Sequence, residues 1–272
     1  MAILLVAVLY RFGRIIPEKK TVQAQPLNSE TAITSITIDT ILALAKKELS
    51  AEQVVRLNTL ENSISRGDVK EQKLKVYHQL AHFWGDTAGI FETYAWYEAE
   101  AARLENSEKS LTFAARLFLD NLQTDESLQR RQWKALQAKD LFERSLKINP
   151  DNDSSKIGLG ACYIFGDISA MPMEGISKIR QVVDKDSTNV YGQIMLAKGS
   201  ERSGQYDKAI ARLQTVIRLQ PANIEASLLL ADVYERMDDK KNAIFWYQTS
   251  LQHISRQDIK DEIEKRIKEL NK

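Results

Sequence analysis

Two windows near the C-terminus repeat one another at an offset of 34 residues. Leu196-Ala197 recurs as Leu230-Ala231, Ala209-Ile210 as Ala243-Ile244, Arg202 as Arg236, and Leu213 is matched by Tyr247. A fixed period of this length specifies a stack of like supersecondary units, each unable to bury its apolar face alone, rather than one closed core. The period constrains architecture tightly and says nothing of what the stack contacts.

Composition narrows the classes. Only 11 Gly and 5 Pro in 272 residues leave room for long, uninterrupted helices. Basic and acidic residues stand at 38 and 37, so no global field draws the chain to nucleic acid. A lone Cys162 excludes an internal disulfide and a cysteine-cluster metal site. There is no Gly-rich phosphate loop ending in Lys-Ser or Lys-Thr and no Gly-x-Ser-x-Gly elbow. No cofactor and no small-molecule substrate are expected.

Along the chain, residues 1–16 form an apolar segment whose first ten residues carry no charge before Arg11 and Arg14. Ten apolar residues fall short of the roughly 20 that a spanning helix needs. The segment reads as a membrane anchor lacking its upstream end, with an interfacial helix as the alternative. Residues 17–38 are a polar tether rich in Thr, Ser, Gln and Pro. Residues 39–68 read as an N-terminal helical hairpin. Its first helix carries Ile41, Leu42 and Leu44, and its second opens on the capping-box pair Ser50 and Gln53.

Residues 69–257 read as helix pairs, at about 69–107, 108–152, 153–189, 190–223 and 224–257. In a regular pair, a Leu followed by a small residue lets the first helix approach its neighbour, an Ala permits a close crossing in the second, and Pro ends the unit. Leu196-Ala197, Gly204, Tyr206, Ala209, Leu213 and Pro221 occupy those places, as do Leu230-Ala231, Tyr234, Ala243 and Tyr247 in the next window. Leu159-Gly160, Tyr163, Ile179 and Val182 do so less regularly, with extra residues around Met171-Pro172-Met173. Upstream, Leu80-Ala81 and Trp84 open the earliest unit, and the Phe118–Ala138 interval exceeds the regular spacing by eleven residues. Residues 258–272 place Ile259, Ile263 and Ile267 on one face of a capping helix with a polar back.

These residues resemble the tetratricopeptide repeat (TPR). The resemblance implies an all-α, right-handed α-solenoid of about five TPR helix pairs, flanked by the N-terminal hairpin and the C-terminal cap. In that fold the first helix of each pair lines a groove. By register the groove would present His78, His82, Arg116, Ile194, Lys198, Glu201, Leu228, Asp232 and Glu235. The family's carboxylate clamp uses paired Lys, Asn and Arg, whereas this chain offers Ile157, Ala161, Ile194 and Lys198. A mixed groove of this kind suits an extended peptide or a partner helix.

As a whole the chain resembles bacterial membrane-tethered TPR proteins. It is read as a non-enzymatic protein-interaction scaffold, anchored by its N-terminus at the bacterial inner membrane, the side of the soluble domain left open. The alternative is an accessory subunit of a larger membrane complex, bound through the convex face.

Candidate chemistry is sparse. His78 and His82 have one-turn spacing on a helix, but Gln79 stands where a zinc hydrolase needs Glu, so a metal-dependent hydrolase is a minor alternative. Asp151-x-Asp153-x-Ser155 starts like a calcium loop, then places Lys156 at the Gly position. Phe91, Tyr94, Trp96 and Tyr97 read mainly as packing, with some rings at the repeat edge. Arg130, Arg131, Trp133 and Lys134 lie in the excess residues and read as a solvated helix extension, with 120–134 expected to open more readily than the C-terminal repeats.

Overall fold

The computed structural model describes residues 36–64, 69–169 and 172–272, and every element in them is helical. In order these are α1 (Ile38–Lys46), α2 (Ala51–Ile64), α3 (Lys70–His82), α4 (Phe91–Glu105), α5 (Glu108–Leu122), α6 (Leu128–Ile148), α7 (Asp153–Phe165), α8 (Pro172–Lys185), α9 (Val190–Arg202), α10 (Tyr206–Leu219), α11 (Ile224–Arg236), α12 (Lys240–Leu251) and α13 (Gln257–Leu270). The apolar segment 1–16 and most of the tether 17–38 lie outside the described residues.

Asparagine starts three of the first helices. Asn152, Asn189 and Asn223 each accept a hydrogen bond from a backbone N–H three residues on, at 2.8, 2.9 and 2.8 Å. Each such cap is worth ~1 kcal/mol. The first helices of the last two pairs also stop alike. Gly204 (φ +72°) and Asp238 (φ +59°) turn left-handed, and the next residue's N–H returns to Ser200 and Tyr234 carbonyls at 2.8 and 2.9 Å. The Ser50–Gln53 capping box is present in both directions, at 3.3 and 2.8 Å.

Helices pack as α3 with α4, α5 with α6, α7 with α8, α9 with α10 and α11 with α12. Each pair leans on the next through α4–α5, α6–α7, α8–α9 and α10–α11. First helices also touch their successors: α5 with α7, α7 with α9 and α9 with α11. This is an all-α solenoid, with first helices side by side along one face. The period residues are its core: Leu196, Ala197, Ala209, Leu213, Leu230, Ala231 and Ala243 are all buried. Burying each leucine contributes about 1.5–3 kcal/mol. On the cap, Ile263 is buried and Ile259 and Ile267 are half-buried, and α13 packs on α12.

Three packing expectations are corrected. In α1 the buried residues are Ile41 and Ala45, one turn apart, while Leu44 is 52% exposed. None of Phe91, Tyr94, Trp96 and Tyr97 is exposed. Trp96 lies between the Trp133 ring (6.4 Å) and the Arg103 guanidinium (5.3 Å), which also reaches Asp140 at 3.0 Å and Gln137 at 2.7 Å. The excess residues, read as solvated, divide: they lengthen α6 at its start, leaving Arg130 exposed and Arg131 half-buried but setting Trp133 and Lys134 inside, 4% and 2% exposed. Trp133 packs edge-on against Phe118 at 5.5 Å. Lys134 Nζ sits 2.5 Å from Asp125 Oδ2, 2.7 Å from Glu92 Oε1 and 2.6 Å from Asn121 Oδ1, below the Phe91 ring at 5.4 Å. A lysine enters a core only with such partners, and periodicity cannot reveal them.

Candidate functional site

The groove is built on α5, α7, α9 and α11. From Ser155 to Gly166 only Lys156 and Tyr163 escape full burial, so α7 offers the groove little. Its neighbours meet above it. The Arg116 guanidinium of α5 lies 4.9 Å from the Tyr191 ring of α9, and Lys198 Nζ donates to Gln123 Oε1 at 3.4 Å. Burial raises the Tyr191 hydroxyl pKa. Asp120 is also raised, by burial against the pull of Arg116 and Lys198, with Glu225 adding to the rise. The groove is bridged at this point.

Beyond the bridge it opens into a cavity of about 870 Å³. Lys198, Glu201 and Arg202 of α9 face Leu229, Asp232 and Arg236 of α11 across it, with Gln123, Arg131 and Phe165 at its other walls. The charges are internally matched. Lys198 Nζ stands 2.8 Å from Glu225 Oε1. Arg236 Nε bridges Glu201 at 2.9 Å and Asp232 at 3.0 Å. Asp167, left-handed at φ +51°, receives Arg131 at 2.9 Å and Arg202 at 2.6 Å.

Burial first, then a hydrogen bond shared with the Asp232 carboxyl, push Glu201 up to about 7, against the pull of Arg236 and Lys198. A carboxyl raised in the folded state binds more protons there than in the unfolded chain. Its contribution is therefore full below about 4.5, declines as pH rises to about 7, and is flat above. Glu201→Gln is expected to remove that decline: melting temperatures of wild type minus variant should fall between pH 5 and 7 and level off beyond. A difference that does not change with pH would show that Glu201 ionises normally.

The residues expected in the groove divide. Lys198, Glu201 and Asp232 come together at the cavity. Arg116 joins the bridge above α7. Ile194 is corrected: at 4% exposure it belongs to the core. Leu228 is half-buried and its neighbour Leu229 lines the cavity. Glu235 is engaged by α12 and the cap, accepting from the Tyr247 hydroxyl and from Arg266 Nε at 3.1 Å each. His78 lies 3.6 Å from Glu98 and His82 3.0 Å from Asp86, so the two imidazoles serve different carboxylates. Among the described residues no group of three or more His, Cys, Asp or Glu is placed to hold a metal ion. Cys162 is fully buried, and burial raises its thiol pKa far above the ordinary range.

Sequence reasoning missed Asp120, Tyr191, Glu225 and Arg236. A signal was available: Tyr191 and Glu225 stand seven residues before Lys198 and Asp232, on the same helical stripe.

Residues 202–238 match the family model of the TPR repeat. That stretch lies within the region whose 34-residue period resembles the repeat. No curated protein matches it. Among solved structures it is similar to MamA, at 14% identity over 66% of this chain and 91% of that one, with a TM-score of 0.42. It is also similar to MamA from Desulfovibrio magneticus RS-1, at 21% identity, 69% and 96% coverage and a TM-score of 0.42. YrrB, described as a TPR protein with an unusual peptide-binding site, gives 13% identity, 76% and 97% coverage and a TM-score of 0.42.

Proposed function

We propose that the chain is a non-enzymatic interaction scaffold that holds a partner peptide or helix in the groove of its first helices, tethered to a membrane by its N-terminal apolar segment. The observation that carries this reading is the cavity between α9 and α11, where opposed charges and the half-buried Leu229 line the space above a largely buried Phe165, at the end of the bridged groove. Recognition surfaces combine such apolar ground with a few placed polar groups. Among the described residues no helix is long and apolar enough to cross a membrane. Anchoring therefore rests on residues 1–16, and would raise the local concentration of scaffold and partner together, so that modest groove affinity suffices. The bacterial inner membrane is the proposed location.

Photo-crosslinking of the full chain in membranes tests this. A photoreactive residue at Leu229 should link to one recurring protein, and Lys198→Glu or Asp232→Lys should diminish that product without changing helicity. The competing reading is the accessory subunit, favoured by Phe245 of α12, an aromatic ring 56% exposed. Links from position 245 to several subunits of one complex, with none from 229, would replace the groove reading by that one.

A further inference from the structure

The cavity's pairs are satisfied in sum but not evenly. At one end two carboxylates, Glu201 and Asp232, share the single guanidinium of Arg236, at 2.9 and 3.0 Å. Lys198 also pulls on Glu201 but is shared, its ammonium lying 2.8 Å from the Glu225 carboxylate. At the other end one carboxylate, Asp167, answers two guanidinium groups, Arg131 at 2.9 Å and Arg202 at 2.6 Å. Once Glu201 is ionised, the cavity thus carries a surplus negative charge at one end, and at the other a surplus positive charge. The Glu201 side chain is only 15% exposed, so water compensates its charge poorly.

We propose that this cavity, within the interaction groove inferred above, seats a peptide segment bearing one basic and one acidic side chain, the basic one beside Glu201 and Asp232 and the acidic one beside Arg131 and Arg202. Charge complementarity selects this occupant. A ligand cation supplies the second positive partner that two apposed carboxylates lack, and a ligand carboxylate supplies the second anion that two arginines lack. Reversing the peptide would set like charges together at both ends, so the same arrangement fixes its direction. The volume of about 870 Å³ is of the size that receives side chains of an extended segment rather than a folded domain. Glu201 also makes binding proton-linked. It faces Lys198 on its own helix and Asp232 and Arg236 on α11, and its proton, held up to about 7, must leave as a ligand cation enters.

The inference rests on the scaffold reading, and the test separates the two. Phage-displayed random dodecapeptides are panned on the full chain, and enriched peptides are synthesised and titrated against wild type and the near-isosteric variants Glu201→Gln, Asp232→Asn and Arg202→Gln, each first checked for helicity. Enriched sequences are expected to hold a Lys or Arg and an Asp or Glu at a constant separation and order. Either carboxylate variant should weaken them about tenfold, as should alanine at the peptide's own basic residue. Affinity for wild type should fall about tenfold for each pH unit below 7, and Glu201→Gln should abolish that slope. Enriched peptides that are uncharged or of one sign, or that bind all three variants unchanged, would overturn the dipolar site and leave the scaffold. Failure of any sequence to enrich over an unrelated helical protein would overturn both.

Discussion

Replacing Lys134 by methionine is expected to cost ~3–5 kcal/mol, the range for removing one partner of a buried ion pair. For a chain of this size that corresponds to a fall in melting temperature on the order of 10 °C. The loss does not come from the lysine's own packing, which methionine largely reproduces. It comes from what is left behind. Asp125 has a side chain 3% exposed, and Glu92 one 19% exposed; both lie within 2.7 Å of the ammonium. Burial alone would raise Asp125, yet hydrogen bonds from Arg130 and Lys134 hold it at about 2. Its stabilisation is therefore present above about 3.8 and is lost as pH falls toward about 2, and in Lys134→Met that acid window should move upward. Pairing Lys134→Met with Asp125→Asn should recover part of the loss, because an amide tolerates burial better than a carboxylate left with Arg130 as its one remaining cation. Amide exchange should report the same thing. In wild type, Trp133 and Lys134 should be as protected as the C-terminal repeats, contrary to what the amino-acid pattern alone leads one to expect, and in the variant they should open first. A loss below about 1 kcal/mol would show that the network is no more than a surface-like pairing.

Lys134 also marks where sequence reasoning stops. What repeats locally was legible: the helix pairs, the core positions Leu196, Ala197, Leu230 and Ala231, and the cap face through Ile263 all follow from spacing within one or two turns. What depends on long-range pairing was not. Glu92 and Lys134 belong to different repeats, and nothing in a run of Arg, Gln, Trp and Lys tells a buried cation from a solvated one until Glu92 and Asp125 are seen beside it. The groove follows the same division. Register placed Lys198, Glu201 and Asp232 on one face, since successive repeats share a phase. It could not foresee that Arg116 would cross over α7 to the Tyr191 ring, or that Arg266 of the cap would engage Glu235, because both contacts depend on how tightly the stack curves. Ile194 fell on the wrong side for a related reason: α9 touches both α7 and α11, which covers more of its surface than an isolated amphipathic helix would bury.

That tightness can be tested with one substitution made at two glycines, because two opposing effects then change rank. Alanine in place of a mid-helix glycine favours the helix by up to about 1 kcal/mol. At Gly199 of α9 an added Cβ would meet Ile164 carbons at 3.5 and 3.7 Å, ordinary contact distances, so Gly199→Ala is expected to stabilise by ~0.5–1 kcal/mol. At Gly175 of α8 the same Cβ would fall 2.3 Å from the Gly160 carbonyl oxygen and 2.9 Å from Tyr163 Cβ. The reverse approach is as close: a Cβ on Gly160 would lie 2.6 Å from the Gly175 carbonyl oxygen. Two backbones touch there, and backbone cannot rotate out of the way as a side chain can. The helices must separate, with the overpacking cost of ~1–3 kcal/mol exceeding the propensity gain, so Gly175→Ala is expected to destabilise. The damage should spread by contact, since α8 leans on α9 and α7 supports both α5 and α9. Parting α7 from α8 would therefore also disturb the Arg116–Tyr191 bridge, and Gly175→Ala should increase nitration of Tyr191, read by peptide mass mapping, while Gly199→Ala leaves it unchanged. Denaturant midpoints that shift in the same direction for both variants would show that the close crossing of α7 and α8 does not set the geometry of the groove.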